Sequence, residues 1–266
     1  MRRASDERRW WRRCWRAGLL AGMAMGLVGA TFAAGLNDTG QTTCYDDTGP
    51  VSPEPSTHPR QDCTVGRDAA AVDGVLPKIG AGSKGFDYTK IANNGSVLPA
   101  DATLGPGASQ WACTRDNLTG LVWEVKTNDD GLRDMNWGYH WYDNIHTDNN
   151  GGNAGSLGPN TCGGTLPNSQ CNTQAYIAAV NAAGLCGQYD WRMPMLRELH
   201  GLVDYSRYGS NHTIDSAYFP NNITAYWSSS TAPSVDYAWY IDFGYGFVRS
   251  INKNFGLGVM LMRGGQ

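Results

Sequence analysis

The spacing of apolar residues in the second half of the chain predicts a strand followed by two helices. Residues 121–125 (LVWEV) form a short apolar run of the kind found in buried strands. A helix is predicted over residues 174–183, and a second begins at Pro194, which suits the first turn of a helix. The apolar stripes of these helices consist of Tyr176, Ile177 and Val180 in the first and Leu196, Leu199, Leu202 and Val203 in the second.

The last part of the chain changes to the alternating pattern that is typical of β-strands. Residues 225–229 and 237–243 each predict a strand, and in the latter large apolar residues occupy every second position. The turn sequence Gly244-Tyr245-Gly246 leads into residues 247–251, and residues 258–263 close the domain. A strand, two helices and an antiparallel meander together predict an α+β fold.

The segment before this domain has little periodicity. Residues 35–107 are rich in Asp, Thr, Gly and Pro, and residues 86–91 (FDYTKI) are the one strand candidate there. We therefore expect three parts: a leader over residues 1–34, a disulfide-pinned extension over residues 35–107, and the α+β domain over residues 108–266.

The leader has the pattern of a secretory signal peptide. Seven arginines precede an apolar run over residues 19–34 that closes with Ala33 and Ala34. The run is short for a membrane span of about 20 residues, so we expect export without a permanent span. The destination can be the periplasm, the cell surface or the medium.

Removal of the leader would make the protein more acidic. The whole chain has a formal charge of −3, but Lys and Arg fall to 14 and Asp and Glu to 22 beyond residue 34, which gives −8. An acidic protein repels nucleic acid at long range, so we expect no nucleic-acid partner.

Six cysteines remain beyond the leader, an even number that suits an oxidising compartment. Short local loops favour Cys44–Cys63 and Cys162–Cys171, which leaves Cys113–Cys186 as the third pair. The alternative, that some of them are free thiols, stays open.

Three segments carry a family resemblance: residues 119–124 (TGLVWE), 189–199 (YDWRMPMLREL) and 225–230 (AYWSSS). Together with Ala238-Trp239 and Met262-Arg263, and in this order, they resemble the DUF1566 family, the C-terminal domain of the Legionella collagen-like adhesin. Collagen-like repeats are absent from this chain. The resemblance therefore does not imply a trimer held by such a stalk, and the oligomeric state stays open.

The resemblance implies an exported surface or periplasmic binding module for carbohydrate or extracellular matrix. The type member of the family is an adhesin whose domain binds sulfated glycosaminoglycans. Residues 189–199 are also similar to the corresponding segment of C-type-lectin-like folds, including formylglycine-generating enzymes, and so imply that fold. Two alternatives stay open: a structural subunit of an extracellular assembly, and an oxidase-like enzyme that would need free thiols for copper.

The candidate ligand-binding residues fall into three groups. The first group consists of Trp137, Tyr139, Trp141 and Tyr142, which either form an exposed platform for sugar rings or turn alternate rings into the core. In the second, Trp191 and Arg192 either face a ligand or, as signature residues more often do, maintain packing, with Arg192 bound to an acid such as Glu198. In the third, Arg249, Lys253 and Arg263 form a basic patch or are ordinary solvated positions.

No catalytic residue, metal or cofactor is expected from the sequence. Ser228, Ser229 and Ser230 lack the surroundings of a nucleophile. Oxygen ligands for calcium occur at Asp143, Asp148, Asn149, Asn150 and Asn153, but their spacing misses the EF-hand pattern. We therefore expect a solvated loop there and a binding protein rather than an enzyme.

Overall fold

The structure is a computed structural model that describes residues 37–146 and 153–264. The predicted signal peptide lies outside the described residues, as do Asp148, Asn149 and Asn150 of the predicted solvated loop. The described residues all belong to one compact unit.

Short strands and three α-helices make up the regular structure of the described residues. The strands are β1 (Cys44–Asp46), β2 (Gly49–Val51), β3 (Tyr88–Ala92), β4 (Val97–Leu98), β5 (Trp111–Asp116), β6 (Val122–Glu124), β7 (Ala225–Thr231), β8 (Tyr237–Asp242), β9 (Phe247–Asn252) and β10 (Met262–Arg263). The helices are α1 (Arg67–Val72), α2 (Thr173–Ala183) and α3 (Leu196–His200), with single 3-10 turns at Pro167–Ser169, Leu185–Gly187 and Tyr205–Arg207.

Two antiparallel sheets form the body of the fold. One has the strand order β10-β6-β5-β3-β4, and the other is the predicted meander β7-β8-β9. A separate hairpin pairs β1 with β2. Helix α3 packs against β7 and β8. Helices with antiparallel sheets give an α+β architecture, as the sequence predicts.

The N-terminal segment takes part in this architecture. Strands β3 and β4, which lie within residues 35–107, pair with each other, and β3 also pairs with β5, where Ile91 stands opposite Cys113. The strand candidate at residues 86–91 therefore corresponds to β3, an inner strand of the larger sheet. Residues 35–107 thus contribute strands to the same sheet as the α+β domain.

Two element predictions need correction. The second helix ends at His200, because the Gly201 amide bonds to the Arg197 and Glu198 carbonyls and the chain then turns. Leu202 and Val203 are still buried, but from the turn that follows the helix. Of the predicted strand at residues 258–263, only β10 pairs as a strand. Gly258 forms an isolated bridge with Tyr226, and Val259, Met260 and Leu261 are buried without joining a ladder.

The core has two clusters of large side chains. One contains Trp141, Trp191, Trp227, Tyr139 and Tyr176, and the other contains Trp123, Tyr88, Tyr226, Phe243 and Leu199. Three disulfides cross-link the chain: Cys44–Cys63, Cys113–Cys186 and Cys162–Cys171. The pairing favoured by local loops is thus the pairing in the structure.

Candidate functional site

The aromatic residues before the polar loop do not form an open platform. Tyr139 and Trp141 are 0% and 3% exposed, and Trp137 and Tyr142 are partly buried. The Trp141 indole donates a hydrogen bond to the Ser228 carbonyl at 2.9 Å. Alternate rings therefore face the core, and the interpretation as an exposed sugar-binding surface is wrong for Tyr139 and Trp141.

Trp191 and Arg192 have structural partners. Trp191 is 2% exposed, and its indole donates to the Leu185 carbonyl at 3.1 Å. The Arg192 guanidinium makes two hydrogen bonds to the Glu198 carboxylate, at 2.9 and 2.7 Å. Burial raises the pKa of Glu198, but the bonds from Arg192 and from the Met195 amide outweigh burial, so the net pKa is lowered. The bonds between Arg192 and Glu198 thus hold the start of α3 in place.

Replacing Glu198 by glutamine is expected to lower the free energy of unfolding at pH 7 by about 1.5–3 kcal/mol, the usual value for hydrogen bonds to charged groups. Because the pKa of Glu198 is lower in the folded protein than in the unfolded chain, its contribution is present above the unfolded value of about 4.3. The contribution is lost as the pH falls through the lowered folded pKa. Urea titrations at pH 7 and pH 3 would therefore show a stability gap between variant and wild type that is smaller at pH 3; an equal gap at both pH values would contradict this account.

The three basic candidates are not a shared patch of unpaired charge. Lys253 is 2% exposed, with its ammonium 4.4 Å from the Trp141 ring centroid and bonded to the Asn153 carbonyl at 2.7 Å. Arg263 pairs with Asp190 at 2.7 Å. Arg249 alone is half-exposed, with Asp242 at 3.5 Å. Of the three, Arg249 has the most exposed side chain.

A wide cleft of about 820 Å³ lies elsewhere, between the N-terminal hairpin region and the 3-10 turn after α3. We call it the tyrosine cleft. It is lined by Thr39, Gln41, Thr42, Thr43, Tyr45, Arg60, Gln61, Asp62, Lys84, Tyr205, Ser206 and Tyr208. The lining combines aromatic rings, hydroxyls, amides, one carboxylate and two cations, so it offers both hydrogen-bond donors and acceptors to a polar ligand.

Hydrogen bonds hold the cleft walls in place. The Gln61 side chain accepts from the Tyr45 amide at 2.8 Å and donates to the Tyr45 carbonyl at 2.7 Å, so it continues the pairing of β1. On the other wall, the Tyr205 amide donates to the Thr39 carbonyl at 2.8 Å, and the Tyr205 hydroxyl donates to the Gly246 carbonyl at 3.1 Å. The two walls are therefore joined directly, through Tyr205 and Thr39.

Both cations of the cleft have unusual backbone geometry. Arg60 and Lys84 adopt φ angles of 68° and 46°, in the left-handed region that non-glycine residues rarely occupy. Both side chains are exposed, and neither takes part in an ion pair within residues 37–146 and 153–264. Four other described residues that do not line the cleft share this geometry, Asp130, Asn168, Ser169 and Cys186, so it does not by itself mark the cleft as a functional site.

A row of exposed rings continues from the cleft. We call Tyr208, Tyr245 and Phe247 the ring row. Tyr208 and Tyr245 have centroids 6.4 Å apart, and Tyr245 stacks on Phe247 at 5.7 Å with an interplanar angle of 20°. The Arg249 guanidinium lies 5.4 Å from the Phe247 centroid, so the row ends in a cation.

The exposure of the ring row is what distinguishes it from the core aromatics. Tyr208, Tyr245 and Phe247 are 61%, 52% and 44% exposed. Gly246 permits the turn that presents them: its φ is +72°, and a Cβ there would lie 2.7 Å from a Val203 methyl group. Contiguous exposed aromatic surface of this kind marks interaction sites.

Sequence reasoning missed this site because its parts lie far apart in the chain. The residues come from positions 39–62, 84, 205–208 and 245–249, and no spacing joins them. One local signal was present: a tyrosine between two glycines, in Gly244-Tyr245-Gly246, stands in a hairpin turn where its ring has no core to enter. Arg249 is the one predicted candidate that belongs to the site.

Comparison with known proteins gives a family. The Lcl C-terminal domain family matches residues 112–263, more than half of the chain. The protein belongs to this family. The resemblance noted in residues 119–124, 189–199 and 225–230 is therefore confirmed at the level of the family. No curated protein and no solved structure matches the chain.

Family membership and the three disulfides indicate a surface or extracellular protein of the adhesin type. Within residues 37–146 and 153–264, no helix has both the length and the apolar character needed to cross a membrane. Tyr245, Phe247 and Arg249 lie inside the matched residues, whereas the wall formed by Thr39, Tyr45 and Arg60 precedes them.

Proposed function

We propose that this protein is an exported binding module that holds carbohydrate in the tyrosine cleft and along the ring row. The observation that carries the proposal is the line of three exposed rings in mutual contact beside a polar cleft. The flat faces of sugar rings carry C–H groups that stack on aromatic rings. The exposed parts of the three rings therefore offer such contacts beside the cleft.

The cleft supplies the polar contacts that sugar hydroxyls require. Gln41, Thr43 and Ser206 offer amide and hydroxyl groups on its surface. Arg60 and Lys84 add donors that attract the carboxylates or sulfates of acidic sugars at close range. The formal charge of −8 beyond residue 34 opposes long-range attraction of a polyanion. Stacking is thus proposed as the main source of affinity, and binding should persist at high salt.

A binding role is proposed in preference to catalysis. All six cysteines of the described residues are joined in disulfides, so the thiolate pair of a copper-dependent oxidase has no counterpart among them. The α+β architecture with disulfides also supports the finer proposal of a C-type-lectin-like fold. Periplasm, cell surface and medium are all destinations where such a module meets glycans or extracellular matrix.

Replacing Tyr208 by alanine is expected to weaken binding of the best ligand on a glycan array by about tenfold or more, equivalent to ~1.4 kcal/mol, because rigid aromatic rings dominate binding energy at such surfaces. Tyr245→Ala should have a similar effect, since its ring lies between those of Tyr208 and Phe247. Tyr189→Ala is the matched control: Tyr189 is 72% exposed but does not line the cleft.

The array experiment is read at two salt concentrations. Retained binding of wild type in 0.5 M NaCl supports stacking, and loss there points to acidic sugars held by Arg60 and Lys84. Equal losses in the Tyr189 variant and the Tyr208 variant would refute a specific role for the ring row. Silence of wild type across the array would refute carbohydrate binding.

A second candidate function is a structural contact in an extracellular assembly. Strand β9 is an edge of the three-stranded sheet, and its first four residues are exposed, including Phe247 and Val248. Exposed edge strands with apolar side chains pair readily with other chains. Concentration-dependent self-association that Val248→Lys abolishes would favour this function over glycan binding.

A further inference from the structure

Three carboxylates meet beneath the wall of the tyrosine cleft. Asp38, Asp62 and Asp68 each place one oxygen so that the three oxygens lie within 4.8 Å of one another. Calcium binds oxygen at about 2.3–2.6 Å, so two oxygens on opposite sides of one ion are ~4.8 Å apart. Oxygens closer than this limit also fit magnesium, so size alone does not choose the ion. Calcium tolerates irregular geometry, whereas magnesium demands a near-ideal octahedron, and three carboxylates from separate chain segments therefore suit calcium better.

One oxygen of the cluster lacks the partner that its burial demands. Asp68 is 0% exposed. Its Oδ1 accepts a hydrogen bond from the Gly85 amide at 2.7 Å, but its Oδ2 is buried and makes no hydrogen bond of normal geometry within residues 37–146 and 153–264, although the Gly40 amide lies near the carboxylate. A buried carboxylate oxygen left in this state is costly, and buried charges in proteins are normally paired or coordinate metals. This oxygen is an observation separate from the clustering of acids.

No cationic side chain forms an ion pair with Asp38, Asp62 or Asp68 within the part of the chain that the structure describes. Lys78 attracts Asp68 from a greater distance. Three carboxylates this close together repel one another, and a divalent cation removes that repulsion.

The chain holds the three side chains in place through its own backbone. Asp38 Oδ2 accepts from the amides of Arg67 and Asp68, at 2.6 and 2.8 Å. The Thr39 hydroxyl donates to Asp62 Oδ2 at 2.5 Å. A Cβ on Gly85 would lie 2.8 Å from Asp68 Oδ1, so a residue without a side chain is required beside the buried carboxylate.

We propose that Asp38, Asp62 and Asp68 bind one calcium ion, with the remaining coordination positions filled by water. The three residues are spread over positions 38–68 and match no linear calcium motif, which is why the spacing of acids along the sequence did not reveal them. The ion joins the segment that begins at Asp38 to the disulfide-closed loop and to α1. Since Thr39 and Asp62 also line the cleft, calcium would fix one of its walls.

The test is a calorimetric titration of the purified, chelator-treated full-length protein with CaCl2 and, separately, MgCl2, in the absence of any glycan. The expected result is one calcium ion per chain, affinity for magnesium at least tenfold weaker, and a higher melting temperature in calcium. Because no glycan is present, the result does not depend on the proposed function.

Asp62→Asn and Asp68→Asn are each expected to weaken calcium binding at least tenfold. Asp62 is partly exposed, so the Asp62 variant still tests calcium binding if the variant of buried Asp68 fails to fold. Asp73→Asn is the matched control, because Asp73 is an exposed carboxylate just after α1 and changes the net charge equally. An absence of saturable calcium binding by wild type, or an equal loss in the Asp73 and Asp62 variants, would overturn the proposal.

Discussion

Replacing Lys126 by methionine is expected to lower the free energy of unfolding by about 3–5 kcal/mol, the usual effect of removing one partner from a buried ion pair. The Lys126 and Glu124 side chains are 2% and 0% exposed, and their Nζ and Oε1 atoms lie 3.1 Å apart. The ammonium also donates to the Tyr176 hydroxyl at 2.8 Å. Methionine keeps the length of the side chain but leaves the carboxylate of Glu124 in the core without its counter-charge.

The reason for so large an effect lies in the connections of Glu124. Its carboxylate accepts from the Tyr176 hydroxyl and, at 2.9 Å, from the Leu261 amide. It therefore joins β6, α2 and the chain just before β10. Burial lowers the pKa of Lys126, although Glu124 opposes that change. Removing the Lys126 ammonium would leave the Glu124 carboxylate without a counter-charge at the point where these three segments meet.

Chemical denaturation of the single and double variants measures this effect. Glu124→Gln combined with Lys126→Met removes both charges, so the double variant should lose less stability than the sum of the two single changes. Lys84→Met is the control, because Lys84 is exposed and its change should stay within about 0.5 kcal/mol. A Lys126→Met variant as stable as the Lys84 control would show that the buried pair contributes little.

The meander and the first helix could be predicted because their signals are local. Tyr237, Trp239 and Ile241 alternate with smaller or polar residues, and Asn172 caps α2 by accepting from the Ala175 amide, at 2.9 Å. The sequence predicts too long a second helix, because Leu202 and Val203 continue its apolar spacing beyond His200. Their burial comes from a tertiary turn, and the periodicity of a sequence does not separate a helix face from a turn that buries the same residues.

The site was harder to predict, because exposure is a property of the whole fold. Tyr139 and Tyr245 both follow a glycine, yet one is wholly buried and the other half-exposed. The difference is that Tyr139 packs on Tyr176, with centroids 4.6 Å apart, whereas Tyr245 sits at the tip of a hairpin. Only the arrangement of the helix and the sheets distinguishes these positions.

Removing the Cys113–Cys186 disulfide by a double change to alanine is expected to lower the free energy of unfolding by about 4 kcal/mol. The two cysteines are 73 residues apart, against 19 for Cys44–Cys63 and 9 for Cys162–Cys171. A cross-link restricts the unfolded chain more when it closes a longer loop, and the same relation gives about 3 kcal/mol for the loop of 19 and about 2.5 kcal/mol for the loop of 9.

The position of this disulfide adds to its effect. Cys113 lies in β5 and Cys186 in the 3-10 turn after α2, and both are buried in the core that contains Trp141 and Trp191. In urea denaturation of the three double variants, the variant that lacks Cys113–Cys186 should therefore show the largest loss in the free energy of unfolding. If the variant lacking Cys162–Cys171 were the least stable, local bracing of the glycine-rich loop would outweigh loop closure. If the expected order holds, the domain relies on a long-range cross-link that forms in oxidising compartments, and its stability is tied to export.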